Sequence, residues 1–121
     1  MYEERIIAFV DILGFKNIIN KNSAEEIKNM LLIPKTYFLD QTTEKYTDIQ
    51  ISMFSDSIII SFLYTKEHAV YNLLLDLVNI LIKFVYVGVI CRGSIVKGLV
   101  YHNREFLFGP AFVEAYELEK K

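Results

Sequence analysis

Residues 5–15 read RIIAFVDILGF, and this segment decides how the chain folds. The apolar run at 6–10 is short and contains β-branched residues, which is typical of a buried strand. Asp11 ends the run, and Gly14 then provides a turn. The segment therefore predicts a buried strand whose last residue carries a carboxylate.

Outward from this strand, the sequence predicts an alternation of helices and strands. Apolar residues alternate with polar ones where strands are expected and recur at helical spacing elsewhere. Ser23 followed by Glu26 has the spacing of a capping box, and Pro110 suits a first helical turn. The elements predicted after the first strand are a helix from 23 that Pro34 kinks or ends, strands at 49–54 and 57–64, a helix at 69–84, a strand at 85–101, a short strand at 106–108 and a helix at 111–119.

The order of the first six elements is βαββαβ, which predicts an α+β, ferredoxin-like sheet with its helices on one face. The short strand and the last helix are added to this core. Because crossover connections are right-handed, the end of the first strand and the tip of the following hairpin lie at the same edge of the sheet. Asp11 and Asp56, although 45 positions apart in the sequence, are therefore predicted to be neighbours in space.

Composition narrows the class of protein. The 121 residues, 53% of them hydrophobic, suit a single domain, 1–121, with a core of its own. A net charge of -2 does not suit a general nucleic-acid binder, which relies on a basic surface. The single cysteine, Cys91, and an N-terminus unlike a signal peptide favour the cytoplasm. Polar residues interrupt the apolar window at 73–90, so no membrane span is predicted.

Two neighbouring carboxylates beside a glycine turn suit a divalent metal site. Carboxylates this close repel each other unless a proton or a cation intervenes. Mg²⁺ favours one or two protein carboxylates together with phosphate oxygens and water. Gly14 allows the backbone to approach a ligand, and the free N–H groups at a helix start bind anions. Simpler roles stay open at this point, with Asp11 as a helix cap and Asp56 as a turn residue.

The segments around both carboxylates resemble the catalytic domains of class III adenylyl and guanylyl cyclases. Residues 9–15 have the form F-x-D-I-x-G-F of the first metal-binding segment, and residues 54–57 resemble the second metal-binding turn. Arg92 and Gly98 are similar to the R-x-G-x-x-x-G strand of that family, and residues 108–119 match the frame of its following helix. The resemblance covers nearly the whole chain in the right order.

This resemblance implies an enzyme that converts a nucleoside triphosphate into a 3′,5′-cyclic nucleotide and pyrophosphate. It also implies two Mg²⁺ or Mn²⁺ ions and a homodimer with shared active sites. Asp11 and Asp56 would be the catalytic residues and the metal ligands. The residues assigned to phosphate binding are Ile12, Leu13, Gly14 and Phe15, through their backbone, and the Lys16 that follows them.

The chain departs from the family pattern at several positions. The last helix of the family carries an Asn and, four residues on, an Arg, and these positions fall on Val113 and Glu117. Neither residue can do the same work, since a carboxylate repels the negative charge that develops on the transferring phosphoryl group. The base-selecting position falls on Ser52, so the base stays open. The family fold also continues with a further hairpin, so the chain corresponds to a minimal version or a fragment.

Three alternatives remain. A catalytically inactive relative could bind a nucleotide as a sensor or regulatory subunit. A palm-type polymerase of cyclic dinucleotides or oligonucleotides also has an acidic hairpin tip, although residues 54–57 lack its usual Gly-Gly-Asp. An RNA-binding ferredoxin-like module is the weakest alternative, because such modules stack bases on sheet aromatics in a basic setting.

Four other residues receive simpler assignments. Arg92 is expected to pair with a carboxylate of the fold, and His102 is expected to lie exposed in a loop. Lys97 and Arg104 are expected to be solvated, and contact with a phosphate in place of the missing family cation is the alternative for each.

Overall fold

The computed structural model describes residues 1–40, 47–64 and 68–120. The protein contains a five-stranded antiparallel sheet with helices on both faces. The strands are β1 (Glu3–Ile12), β2 (Thr47–Phe54), β3 (Ser57–Leu63), β4 (Cys91–His102) and β5 (Leu107–Phe108). The helices are α1 (Phe15–Lys21), α2 (Ala24–Leu31), α3 (Ile33–Asp40), α4 (His68–Tyr86) and α5 (Pro110–Glu119).

The strand order is β2-β3-β1-β4-β5. Its first four strands have the arrangement of a ferredoxin-like βαββαβ unit, which confirms the predicted fold class. Strand β5 extends the sheet beyond β4 by a short pairing, Tyr101 with Phe108 and His102 with Leu107. Strand β1 lies between β3 and β4 and pairs with both along most of its length.

The apolar run in β1 is continuous because both faces of this strand are covered. Side chains of successive strand residues point to opposite faces of a sheet. One set packs with α2, α3 and α4: Ile6, Ala8, Val10 and Ile12. The other set, Ile7 and Phe9, packs with Ala111 and Ala115 of α5. Alternation with polar residues is therefore not expected in this strand.

Helix α5 lies on the face of the sheet opposite α2, α3 and α4. The sequence predicted this helix but not its side. Small residues allow it to lie close to β4, since a Cβ atom added to Gly98 would be 3.1 Å from the Cβ of Ala111. The Ser94 hydroxyl donates a hydrogen bond of 2.7 Å to the carbonyl of Ala115, which fixes the helix further along.

The capping box predicted at the start of α2 is confirmed. The Glu26 N–H donates to Ser23 Oγ at 3.2 Å, and the Ser23 N–H donates to Glu26 Oε1 at 2.9 Å. Helix α2 ends at Leu31, and Pro34 lies in the first turn of a new helix, α3. A proline there lacks only an N–H that has no partner inside the helix.

The predicted strand at 85–101 was wrong in its first six residues. Helix α4 continues to Tyr86, and the chain turns at Gly88, whose φ of 81° is left-handed. The β-branched and aromatic residues at 85–87 suit a strand by composition, but strand propensity depends strongly on tertiary context. In the described part of the chain, no helix is both long and apolar enough to cross a membrane.

The expectation that His102 lies exposed in a loop was also wrong. His102 is the last residue of β4 and is only 4% exposed. Its ring nitrogens hydrogen bond with Ser52 Oγ at 2.7 Å and Ser61 Oγ at 2.5 Å. Arg5, fully buried, donates from Nε to the same Ser61 hydroxyl at 2.9 Å. The polar residues of β2 and β3 that face α5 thus give the histidine its buried partners.

The contact between β1 and β4 can be tested at Gly93. A Cβ atom at this position would lie 2.0 Å from the carbonyl oxygen of Phe9, so Gly93→Ala must push the two strands apart. We expect this variant to lose about 3 kcal/mol of unfolding free energy, as overpacked sites do. Gly98→Ala on the same strand is the control, and its loss should be about 1 kcal/mol or less, since α5 can shift slightly. Urea unfolding followed by circular dichroism measures both, and equal losses would contradict this description of the strand contact.

Candidate active site

Two acidic residues from different parts of the sequence meet at one edge of the sheet. Asp11 lies in β1 opposite Ser57 of β3 and Arg92 of β4. Asp56 lies in the turn between β2 and β3. The Ile12 N–H donates a hydrogen bond of 2.8 Å to the main-chain carbonyl of Asp56, which joins the end of β1 to the hairpin tip. The structure thus brings the two carboxylates together as the topology predicted.

A cavity of about 450 Å³ opens over this carboxylate pair. Strands β1, β3 and β4 form its floor, and the last turn of α5 forms a wall. Its lining residues are Phe9, Asp11, Asp56, Ser57, Arg92, Tyr116, Glu119 and Lys120. A larger cavity of about 560 Å³ lies between α1, α2 and the turn after α4, but it does not include the carboxylate pair. We place the candidate site in the smaller cavity because acidic groups converge there.

The electrostatics of the cavity favour a cation. Burial raises the pKa of Asp11 above its usual range, and the charges of Asp56 and Glu119 raise this pKa further. A hydrogen bond with the Asp56 side chain acts in the same direction, whereas the Arg92 guanidinium lowers the pKa. A bound divalent cation would remove this repulsion between neighbouring carboxylates.

Arg92 pairs with a carboxylate of the fold, as expected from the sequence. Its Nε donates to Glu119 Oε1 at 2.9 Å. The Glu119 side chain is only 4% exposed, while that of Arg92 is 59% exposed. The pair connects the end of α5 to β4 beside Asp11. Glu119 was not among the predicted site residues, and its only sequence signal was the match of residues 108–119 to the frame of a cyclase helix.

The donor set fits a hard divalent cation with few protein ligands. Among the described residues, no group of three or more His, Cys, Asp or Glu side chains is arranged to hold a metal ion. Mg²⁺ needs no such group, because it commonly binds one or two carboxylates and completes its shell with water and phosphate oxygens. Asp11 and Asp56 supply two oxygen-bearing groups of this kind.

The turn after β1 already uses part of its hydrogen-bonding capacity. The Ile12 N–H binds the Asp56 carbonyl, and the Leu13 N–H donates to the Ile90 carbonyl at 2.9 Å. Gly14, with φ 67° and ψ 30°, precedes α1, whose first internal hydrogen bond runs from the Ile18 N–H to the Gly14 carbonyl. The N–H groups of Phe15 and Lys16 therefore have no partner within the helix. Phosphate binding by residues 12–16 stays a prediction, and these later N–H groups are its strongest candidates.

Four residues considered from the sequence lie away from the cavity. Val113 and Glu117 are exposed on α5 and do not line it. Lys97 lies opposite Ile6, five residues before Asp11 along β1, which corresponds to about 17 Å. Its ammonium is 3.8 Å from the centre of the Tyr64 ring and 3.9 Å from Glu4 Oε1. Arg104 follows β4 at the same far end of the sheet, so neither candidate cation reaches the site.

Lys120, the residue directly after α5, does line the cavity, and the sequence analysis did not single it out. Its ammonium lies 4.8 Å from the centre of the Tyr116 ring. A hydrogen bond with the Tyr116 side chain raises the pKa of Lys120, and the charges of Glu119 and Asp11 add to this. The lysine therefore stays protonated near the carboxylate pair.

Solved structures that are similar to this chain include cyclase catalytic domains. The adenylyl cyclase CyaB from P. aeruginosa has 13% identity and a TM-score of 0.67, over 99% of this chain and 72% of its own. A non-canonical dimeric guanylyl cyclase domain of the RhoGC fusion protein from the aquatic fungus Blastocladiella emersonii has 16% identity and the same TM-score, over 98% and 74%. The catalytic core of a rhodopsin-guanylyl cyclase with converted specificity, in complex with ATPαS, has 16% identity and a TM-score of 0.67, over 98% and 72%.

These similarities define the chain as a nucleotidyl-cyclase-like domain by fold, as the resemblance of residues 9–15 and 54–57 implied. No protein-family model matches the sequence, and no curated protein matches it significantly. At identities of 13–16%, the likeness shows the fold alone.

The raised pKa of Asp11 predicts how stability depends on pH without metal. Because the folded state binds a proton more tightly at Asp11 than the unfolded chain does, stability falls as pH rises through the folded-state pKa. Asp11→Asn removes this loss, so we expect the variant to be more stable than the unchanged protein at pH 7. The difference should disappear below about pH 4, where the aspartate is protonated in both states. Thermal unfolding across this pH range measures the effect.

The same variant tests the metal site. Mg²⁺ or Mn²⁺ should raise the unfolding temperature of the unchanged protein and leave that of Asp11→Asn unaffected, because only a state that binds the ion gains stability. Glu114→Gln on the exposed side of α5 is the control and should behave like the unchanged protein. Equal stabilisation of all three by the metal would contradict binding at Asp11.

Proposed function

We propose that the chain binds a nucleoside triphosphate with two divalent cations and forms a 3′,5′-cyclic nucleotide and pyrophosphate. The observation that carries this proposal is the carboxylate pair, Asp11 and Asp56, at the edge of a cyclase-type sheet and inside a cavity. The raised pKa of Asp11 supports it, since the pair is electrostatically unfavourable without a cation. The solved relatives include one in complex with ATPαS and one in complex with GTP.

In the proposed reaction, the ribose 3′-hydroxyl loses its proton to solvent water as its oxygen attacks the α-phosphorus, and the bond from that phosphorus to the bridging oxygen breaks, so that pyrophosphate leaves. Asp11 and Asp56 would hold the Mg²⁺ or Mn²⁺ ions. These ions would activate the 3′-hydroxyl and offset the negative charge of the triphosphate. The backbone N–H groups at the start of α1 would orient the phosphates. Because the Leu13 N–H is used within the fold, this role falls on Gly14, Phe15 and Lys16.

Lys120 would supply the positive charge that the family pattern places on this helix and that this chain lacks at Glu117. Glu117, at the position of the family Arg, is exposed and outside the cavity, whereas Lys120 lies three residues later, directly after the helix, and lines it. An ammonium near the leaving pyrophosphate would stabilise negative charge as the bond breaks. We therefore assign Lys120 to contact with the triphosphate.

A homodimer is part of the proposal. The exposed Val113 and Glu117 lie on the solvent side of α5, where a second copy would meet the edge of the cavity. One of the similar solved structures is described as a dimeric guanylyl cyclase domain. A partner on this side would close a cavity that a single chain leaves open.

One observation favours a second function, a nucleotide-binding sensor or regulatory relative without catalysis. Val113 and Glu117 replace the Asn and Arg that the family pattern places on this helix. A cavity that holds the triphosphate through the carboxylate pair and Lys120 can bind a nucleotide without turning it over. Binding without product would identify this function.

The test is a product assay with ATP, GTP, CTP and UTP, each with Mg²⁺ or Mn²⁺, and analysis of the products by mass spectrometry. We expect a cyclic mononucleotide from at least one base, and a loss of at least about 100-fold in Asp56→Ala, since a metal contributes several kcal/mol to such a transition state. Glu25→Ala should retain activity, because this residue is exposed on α2, on the other face of the sheet, and does not line the cavity.

The other outcomes are separable. Nucleotide binding that depends on Mn²⁺, with no product, would replace the cyclase proposal by the sensor. A product that links two nucleotides would indicate a palm-type polymerase. Turnover that persists in Asp56→Ala would remove the carboxylate pair from the reaction.

Lys120→Ala tests the assignment of the cation. We expect triphosphate affinity to fall about tenfold, the loss of one charge-assisted contact, and Lys120→Arg to retain most of it. Lys97→Ala makes the same change of charge at the far end of the sheet and should have little effect. Titration with a fluorescent nucleotide measures all three, and equal affinities for Lys97→Ala and Lys120→Ala would contradict the assignment.

A further inference from the structure

The cavity between α1, α2 and the turn after α4 lies away from the carboxylate pair and has the size of a small-molecule site. Its volume is about 560 Å³, and it is called here the helical cavity. Ligand pockets in proteins commonly enclose about 300–1,000 Å³. The proposed nucleotide chemistry makes no use of this space, so its lining points to a different ligand.

The floor of the helical cavity is part of the main hydrophobic core. Met30 and Val89 line the cavity and are only 7% and 4% exposed, as members of the core that α2, α3 and α4 form with the sheet. Ile18 and Ile33 also line the cavity and pack against the same core. Such a floor holds water poorly, since an ordered water needs roughly two to four polar partners. An apolar group placed on the floor would therefore displace weakly held water.

Helix α1 forms one wall of the cavity without closing it. All seven residues of this helix keep part of their surface exposed. Positions 17, 18, 21 and 22 line the cavity and share one side of the helix, because residues four apart lie one turn above each other. A helix this short has little stability of its own in water. An occupant of the cavity would therefore add contacts that hold α1 in place.

Polar side chains surround the mouth of the cavity, above the apolar floor. Five exposed residues form this polar lining: Asn17, Lys21, Asn22, Glu26 and Asn29. Lys21 is the cation of the set, and within residues 1–40, 47–64 and 68–120 no carboxylate forms an ion pair with it. An apolar interior with a few polar groups that fix orientation is the usual arrangement of a small-molecule site.

The charge of Glu26 is already used by the fold. Its Oε1 accepts a hydrogen bond of 2.9 Å from the Ser23 N–H, within the capping box of α2. Hydrogen bonds with the backbone and side chain of Ser23 lower the pKa of Glu26, so the carboxylate stays ionised, and the N-terminus of α2 offsets its charge. The charge of Lys21 is thus left for a ligand. A single cation matches a carboxylate better than a phosphate dianion, which Glu26 would repel more strongly.

The asparagine amides suit the same anion. Asn22 Nδ2 donates a hydrogen bond of 2.9 Å to the Ile18 carbonyl, so this amide is held by α1 itself. Asn17 on α1 and Asn29 on α2 line the cavity from its two helical walls. Each side-chain amide carries two N–H donors, which carboxylate oxygens accept. The mouth therefore offers one positive charge and neutral donors to an anionic group.

We propose that the helical cavity binds a small amphipathic carboxylate, with its apolar body on Met30 and Val89 and its carboxylate beside Lys21. A ligand of this class matches both halves of the lining, whereas water matches only the mouth. The helical cavity shares no lining residue with the cavity of Asp11 and Asp56. The proposal therefore does not depend on the nucleotide chemistry.

Decanoate and decanol are the probes, because they share an apolar body and differ in charge. We expect decanoate to bind one site per chain with a dissociation constant on the order of 100 µM, a value that suits a ligand of this size. Decanol should bind about tenfold more weakly, since it lacks the charge-assisted contact. Titration followed by NMR of the backbone amides locates the site. The signals of Ile27 and Gly88 should shift, and those of Val78 and Ile82 on the exposed side of α4 should not.

Lys21→Ala tests the contact with the carboxylate. We expect this variant to bind decanoate about tenfold more weakly and decanol as before, because only the charge-assisted contact is lost. Lys28→Ala is the control, since it removes the same charge from an exposed residue of α2 that does not line the cavity. Equal effects of the two variants on decanoate affinity would contradict the role of Lys21.

Val87→Trp tests the cavity itself. Val87 lines it and is 58% exposed, whereas Val85 is 60% exposed on α4 and does not line it. The larger ring at 87 should weaken the binding of both probes at least about tenfold, and Val85→Trp should leave both affinities unchanged. Circular dichroism checks that both variants fold. Amide shifts confined to the exposed side of α4, no saturable shift at millimolar decanoate, or unchanged binding in Val87→Trp would overturn the proposal.

Discussion

The pairing of β1 with both β3 and β4 is the constraint on which the rest of the structure depends. Seven consecutive residue pairs join β1 to β3, and ten join it to β4. Because β1 is central, its two faces organise two separate cores, one with α2, α3 and α4 and one with α5. Gly93 allows the β4 backbone to cross Phe9 without a clash, and the same pairing places Asp11 beside Arg92. The core and the site thus share one strand.

The sequence predicted those parts of the fold that local pattern controls. The buried run of β1, the capping box at Ser23 and the two strands around Asp56 follow from periodicity and turn chemistry. The extension of α4 to Tyr86 did not, because Val85 and Val87 have strand-like composition and only their place in the tertiary structure makes them helical or turn residues. Position on a sheet face is a property of packing, so the side taken by α5 was also beyond the sequence.

In the site too, the sequence predicted some residues, whereas others depend on tertiary packing. Asp11 and Asp56 could be predicted because right-handed topology fixes which ends of strands meet. Glu119 and Lys120 could not, since their approach to the cavity depends on how α5 lies across β4. His102 was misplaced because its partners, Ser52 and Ser61, belong to strands more than forty positions earlier in the sequence. The charge and burial of site residues depend on contacts between residues far apart in the sequence. The local pattern of apolar and polar residues does not predict such contacts.

The hydrogen bond from Ile12 to Asp56 has an evolutionary consequence. It uses the main-chain carbonyl of residue 56, not the carboxylate, so the hairpin tip is held in place by a group that every amino acid possesses. Architecture and chemistry are therefore encoded independently at this position. A lineage can exchange the aspartate in one step, lose its acidic pair and keep the sheet edge intact. Selection for the shape of the hairpin tip and selection for its charge therefore act on different atoms of the same residue.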